Sequence, residues 1–176
     1  MMRRGAGRQR GRGACARAAI LPRLHSLAAS LFLLVILSPP SAIAQSRPKT
    51  EVRNERARQL LLGKHKFQLH WISWGNWKDF ADLTVTDKNG TFVVKGRQEK
   101  SGDYVEVDGI VLMVDDRVFT FQGTIITRVS HNNEGQPCKR EGTFTFKITG
   151  KRKYWRMQEY ESPCDGVADY VDIFLR

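Results

Sequence analysis

The sequence predicts an all-β domain in which about eight antiparallel strands meander around a core, preceded by one short helix. From Gly63 onward, short runs rich in Val, Ile, Thr, Phe, Tyr and Trp alternate with Gly, Asn and Asp, which is typical of strands joined by turns. No helical segment between these runs is long enough for a crossover, so parallel strands are not expected. Such strands can bury their apolar faces in a lipocalin- or streptavidin-like barrel or in a sandwich. The meander and its tight hairpins favour the barrel.

The first 44 residues predict a secretory signal peptide. Seven arginines and no acidic residue precede an apolar run from Leu27 to Leu37, and Ala42-Ile43-Ala44 is a cleavage signal before Gln45. The apolar run is too short for a stable anchor across a bilayer core of about 30 Å. We therefore expect export to the periplasm or medium, with no transmembrane anchor after cleavage; an uncleaved anchor is the alternative.

The positive charge of the chain lies mostly in this leader. The formal charge is +11, from 29 basic and 18 acidic residues. Seven basic residues lie in residues 1–44 and seven in residues 47–66, so residues 67–176 hold 15 basic and 16 acidic residues. A nearly neutral body cannot supply the counterion release that dominates nucleic-acid affinity, so we expect no nucleic-acid partner.

The processed chain keeps two cysteines, Cys138 and Cys164. In an oxidising compartment they are expected to form a disulfide bond, with two free buried thiols as the alternative.

Residues 45–63 are predicted to be a polar arm and a short helix. Residues 45–50 are polar and expected to be disordered, and residues 51–62 are rich in helix formers, with Thr50 as a candidate N-cap. The barrel domain is expected to span residues 64–176, with strands near 66–74, 79–86, 91–98, 104–114, 118–129, 141–148, 153–160 and 168–175.

Turn residues predict three hairpins. Asn89-Gly90 favours a two-residue turn that pairs Val85 with Val94 and Asp87 with Phe92. A turn at Asp116-Arg117 aligns Leu112 and Val114 with Phe121 and Phe119. It requires a bulge, expected at Asp108-Gly109, to keep Val105 and Val107 on the apolar face.

A third turn at Gly150-Lys151 pairs Phe146 with Trp155 and Phe144 with Met157 on the apolar face. The basic residues Lys151, Arg152 and Lys153 then lie at an exposed hairpin tip, and Tyr154 lies beside cations on the outer face. The basic and aromatic cluster is therefore explained by the turn rather than by nucleic-acid binding.

No catalytic, metal or cofactor site is predicted. His65 and His70 would point to opposite faces of one strand and are expected on the surface, and the polar loop Ser130–Cys138 is interpreted as an ordinary connection. The acidic residues Asp165, Asp169 and Asp172 lack the spacing of a calcium loop and are expected in turns or on the outer face. We therefore expect no cofactor and no enzymatic activity.

Aromatic residues provide the only candidate binding site. Five side chains are candidates for the lining of an interior cavity: Trp71, Phe144, Phe146, Trp155 and Met157. Barrels of this size are either filled or hollow, so the same residues can simply form a core.

The tail, with KRKYWR, PCDG and DYVDI in order, resembles that of a family of uncharacterised exported bacterial proteins, from about Leu61 to Arg176. The resemblance implies export and one compact domain, and it transfers no activity or site. The leading hypothesis from the sequence is a non-catalytic exported barrel that binds a small hydrophobic or amphipathic ligand in its interior. The alternative is a structural or interaction protein of the cell envelope with a filled core.

Overall fold

The described part of the chain forms nine strands and two short helices. The structure is a computed structural model, and it describes residues 47–176, so the predicted signal peptide lies outside the described residues. The elements in chain order are β1 (Glu51–Val52), α1 (Glu55–Leu61), β2 (Gly63–Leu69), α2 (His70–Ser73), β3 (Ala81–Lys88), β4 (Thr91–Lys100), β5 (Asp103–Asp115), β6 (Val118–Arg128), β7 (Cys138–Lys147), β8 (Tyr154–Met157) and β9 (Val171–Phe174). Within residues 47–176, neither helix is long and apolar enough to cross a membrane.

Strands β2 to β9 form a closed antiparallel barrel, which confirms the predicted fold class. Each strand pairs with the next one along the chain, and β9 pairs back with β2, where Phe67 lies opposite Ile173. β1 was not predicted: it adds to β5 in parallel, with Glu51 opposite Met113.

The hairpin at Asn89-Gly90 has the predicted register. Val85 pairs with Val94 and Asp87 with Phe92, and the carboxylate of Asp87 accepts a hydrogen bond from the Gly90 N–H at 2.7 Å. Two-residue turns of this kind fix the register because their twist matches that of the flanking strands.

The predicted register of the β7–β8 hairpin is wrong by two residues. Phe146 pairs with Met157, not with Trp155, although all three side chains are buried as predicted because a shift of two keeps the faces. The connection is longer than two residues because its ends bond to residues that flank other strands: the Ile148 N–H donates to Arg117 O, just before β6, and the Leu175 N–H, just after β9, donates to Lys153 O.

The predicted bulge exists, but its position was wrong. The β5–β6 register shifts between Val111 and Met113, rather than at Asp108-Gly109, so Val111 replaces Leu112 opposite Phe121. Gly109 instead pairs with Gly123, and a Cβ atom on Gly109 would lie 2.7 Å from the Phe121 ring. These glycines make room for the ring of Phe121.

Pro48 and Thr50 bond to the barrel, which corrects the prediction that they are disordered; residues 45 and 46 of the predicted disordered arm lie outside the described residues. Thr50 is buried, and its hydroxyl donates to Val111 O at 2.7 Å. The cap of α1 is Asn54 rather than Thr50, because the Asn54 side chain accepts from the Ala57 N–H.

The alternation of strand directions gives the barrel two distinct ends. The helix end carries residues 47–62, the β3–β4, β5–β6 and β7–β8 connections, and residues 175–176. The disulfide end carries the connections β2–β3, β4–β5, β6–β7 and β8–β9.

Candidate functional site

Four of the five predicted cavity residues lie together in the barrel interior. Phe144, Phe146, Trp155 and Met157 are all buried, with 6%, 0%, 2% and 0% of their surface exposed. Their positions follow from alternation along β7 and β8, which points every second side chain inward.

The interior around these residues is filled by aromatic side chains. The Phe119 ring stacks on the Phe146 ring with centroids 4.9 Å apart, and it meets the Trp155 ring edge-on at 5.7 Å. Phe121 packs edge-on against Phe146 at 6.2 Å. The residues that the sequence predicted to line a cavity therefore pack against other aromatic rings and form part of the core.

Trp71 does not join the other four predicted lining residues. The chain leaves β2 after Leu69 and forms the short helix α2, so Trp71 lies half-buried at the disulfide end. Its indole Nε1 donates to Ala168 O at 3.0 Å, and its ring meets Trp74 at 5.3 Å and His131 at 5.7 Å.

His65 is buried inside the helix end, so the prediction of a surface histidine is wrong. Only 2% of its surface is exposed. Its Nδ1 lies 2.9 Å from Phe174 O and its Nε2 lies 2.8 Å from Leu61 O. The imidazole therefore links the end of α1 to β9, a structural role that its sequence neighbours do not reveal.

A buried ion pair lies at the disulfide end. Arg140 Nη2 is 3.3 Å from Asp169 Oδ2, with 6% and 4% of the two side chains exposed. The Thr127 hydroxyl donates to the same carboxylate at 3.0 Å. Burial lowers the pKa of Arg140 and raises the pKa of Asp169, because both charged forms lose hydration. The prediction that Asp169 lies on the outer face is wrong.

The space beside this pair is too small for a substrate. It measures about 10 Å³, the size of one water molecule, and Asn132, Asp165 and Asp169 are among its lining residues. Within residues 47–176, no three side chains of His, Cys, Asp or Glu converge to hold a metal ion.

The predicted disulfide bond joins Cys138 to Cys164. β7 and β8 share only two register pairs, at the end of β7, and the disulfide links the start of β7 to the β8–β9 connection. Beyond Met157 the chain leaves the sheet and is held against β7 by the disulfide and by the hydrogen bond from Arg140 Nη1 to Glu159 O. The bond therefore fastens the β8–β9 connection to the barrel.

An outer aromatic strip, formed by Trp77, Phe80, Phe174 and Tyr154, crosses the outside of β9 and β8. Successive ring centroids are 4.9, 4.8 and 5.2 Å apart. Trp77 at one end of the strip is 57% exposed. Aromatic side chains of this exposure are typical of interaction surfaces.

Arg156 lies next to the outer aromatic strip and forms an ion pair with Asp172. Its guanidinium lies 5.3 Å from the Tyr154 centroid and 4.3 Å from the Tyr170 centroid, which confirms the predicted position of Tyr154 beside cations. Two hydrogen bonds of 2.6 and 2.7 Å join it to Asp172, and these bonds raise the pKa of Arg156. Asp172 points outward as predicted, yet it is buried, because Arg156 and Gln68 both bond to its carboxylate.

The fold and these sites define a small, disulfide-linked antiparallel β-barrel with a packed interior. The chain belongs to the PM1083 family, whose model matches residues 49–175. It is similar to "Uncharacterized protein PM1083" of Pasteurella multocida (strain Pm70), with 42% identity over 143 residues that cover 81% of this chain and 92% of that protein. No solved structure matches the chain. Neither the family nor this relative has a name that assigns an activity, so the comparisons establish family membership alone.

Proposed function

We propose that this chain is an exported, non-catalytic protein of the cell envelope that acts through the outside of a filled barrel. The proposal concerns three properties: where the protein works, that it carries out no reaction, and which of its surfaces meets a partner.

The packing of the barrel interior carries the proposal. A drug-sized ligand needs a pocket of about 300 Å³ or more. The side chains that would line such a pocket instead contact one another, and Trp155, Phe119 and Phe146 are each 2% exposed or less. A filled interior favours the outer surface as the functional part of the protein.

The alternative function, an interior site for a small apolar ligand, would require these rings to move apart. Two observations weigh against it: the Phe119 and Phe146 rings are stacked with planes 1° from parallel, and the Trp155 ring packs edge-on against both Phe119 and His65. Displacing close-packed aromatic rings costs the dispersion and burial energy that they contribute to the core.

Separate observations support the two other parts of the proposal, export and the absence of catalysis. The leader-like N-terminus and the disulfide between Cys138 and Cys164 support an oxidising compartment. The charged side chains of the most buried pair, Arg140 and Asp169, bond to each other, and the space beside Asp169 measures only about 10 Å³, which supports a structural role for these groups.

Native mass spectrometry of the protein purified from its own host tests the proposal. We expect the mass of a chain that begins at Gln45, contains one disulfide and carries no small molecule. A mass increment that disappears on denaturation would favour the interior-ligand function. A chain that still begins at Met1 would contradict export without affecting the filled interior.

A further inference from the structure

The barrel is electrically polarised along its axis. The residues of the helix end, 47–62, 86–91, 115–118, 147–153 and 175–176, include twelve Lys and Arg against five Asp and Glu. The residues of the disulfide end, 70–80, 99–103, 128–140 and 158–170, include five Lys and Arg against eight Asp and Glu. The helix end therefore carries a net charge of +7 and the disulfide end a net charge of −3, so the barrel presents one strongly cationic end.

A cationic groove lies in this helix end. Its volume is about 330 Å³, and its lining consists of Arg47, Lys49, Lys88, Asn89 and Thr91, with no acidic side chain. The adjacent Asp87 is already engaged, since it lies 3.5 Å from Arg58 and accepts a hydrogen bond from Gly90. The three cations of the groove are thus available to an external anion.

Apolar side chains accompany this charge. Val52 and Leu60, at the same end, are 39% and 37% exposed. Cations interspersed with exposed aliphatic side chains are the chemistry of a surface that meets lipid headgroups and the acyl boundary.

We propose that the helix end docks on a bilayer that contains anionic phospholipids, with Arg47, Lys49 and Lys88 contacting phosphate groups. This inference deepens the proposed function by naming the partner surface, and it rests on that function for the compartment. Docking in this orientation directs the acidic disulfide end and the exposed Trp74 away from the bilayer.

Vesicle co-sedimentation tests the proposal with the chain Gln45–Arg176, which contains every strand pairing and the disulfide of the barrel. We expect binding to vesicles of phosphatidylcholine with 30% phosphatidylglycerol and little binding to pure phosphatidylcholine. The triple variant R47Q/K49Q/K88Q should bind roughly a hundredfold more weakly, at about 1 kcal/mol for each cation near the surface. The matched control K78Q/K100Q/K139Q removes the same charge from the disulfide end and should bind as the parent does.

Three outcomes would overturn the proposal. Equal losses in the two triple variants would mean that net charge alone drives association. Equal binding to neutral vesicles would exclude phosphate recognition. Full competition by soluble glycerol phosphate or by an oligonucleotide, at concentrations that leave vesicles intact, would assign the groove to a soluble anion or to nucleic acid. None of these results affects the filled interior or export, which are tested separately by mass spectrometry.

Discussion

The rings of Phe119 and Phe146 stack inside the barrel with centroids 4.9 Å apart and planes 1° from parallel. The two residues pair across β6 and β7, so the stack spans a cross-strand pair on the inner face. Stacked and edge-on aromatic pairs contribute about 0.5–1.5 kcal/mol beyond the burial of their area. This stack is part of the buried core, and its packing supports the proposal that the interior is filled.

Truncation of Phe146 should destabilise the protein strongly. Phe146→Ala removes a fully buried ring, and we expect the free energy of unfolding to fall by about 3–5 kcal/mol in urea titrations. Trp77→Ala is the matched control, because Trp77 is a larger aromatic residue that is 57% exposed. Comparable losses in the two variants would contradict a core centred on Phe146.

Loss of the disulfide should cost a substantial part of the stability. Cys138 and Cys164 are 26 positions apart, so loop-closure entropy predicts a loss of about 3.5 kcal/mol for the C138A/C164A variant. Hydrogen exchange of the reduced protein should increase first in the β8–β9 connection, which the bond fastens to β7. Uniformly faster exchange throughout the barrel would contradict this local role.

Replacing one partner of the buried ion pair should lower the free energy of unfolding more than replacing both. Arg140→Met leaves the Asp169 carboxylate buried without its counter-ion, and we expect a loss of about 3–5 kcal/mol in the free energy of unfolding. The double variant R140M/D169L should recover most of this loss in the same urea titration. A double variant as unstable as R140M would contradict the dominance of the unpaired charge.

The stability contributed by Asp169 should depend on pH in a defined direction. Burial raises its pKa above the ordinary value of 3.8. A carboxyl group with a raised folded-state pKa contributes stability below its unfolded-state pKa, and this contribution is lost as the pH rises through the folded-state pKa. The free energy of unfolding of the parent, relative to that of D169N, should therefore decrease as the pH rises from about 3 to about 6. Asp116→Asn, a substitution in the β5–β6 connection at the helix end, is the control. An increase with pH of the difference in unfolding free energy between the parent and D169N would contradict a raised pKa of Asp169.

Local sequence pattern predicted the barrel because each strand has one apolar and one polar face. The Asn89-Gly90 turn fixed one register, since its geometry is set by the two turn residues themselves. The β7–β8 register could not be predicted in the same way, because Ile148 bonds to Arg117, a residue of the β5–β6 connection, which lies outside the hairpin.

The burial of polar residues could not be predicted, because it depends on contacts that are distant in sequence. His65 points inward by the same alternation as Phe67. Its burial, however, depends on a hydrogen bond between its Nδ1 and Phe174 O, 109 positions away in the sequence. Asp172 was correctly placed on the outer face, yet Arg156 and Gln68 bond to it there and bury it. The charge difference between the two ends could not be predicted without the strand order, because the helix end combines five separate segments of the chain and the disulfide end combines four.

The central claim is that the barrel interior is filled, and binding of benzene tests it most directly. The thermal unfolding midpoint should not change when the wild-type protein is saturated with benzene, because no apolar cavity is available to it. The midpoint of Phe146→Ala should rise, since the deleted ring leaves a dry cavity of the kind that binds benzene. A rise in the wild-type midpoint would show that the interior already holds an apolar site, and it would contradict the account.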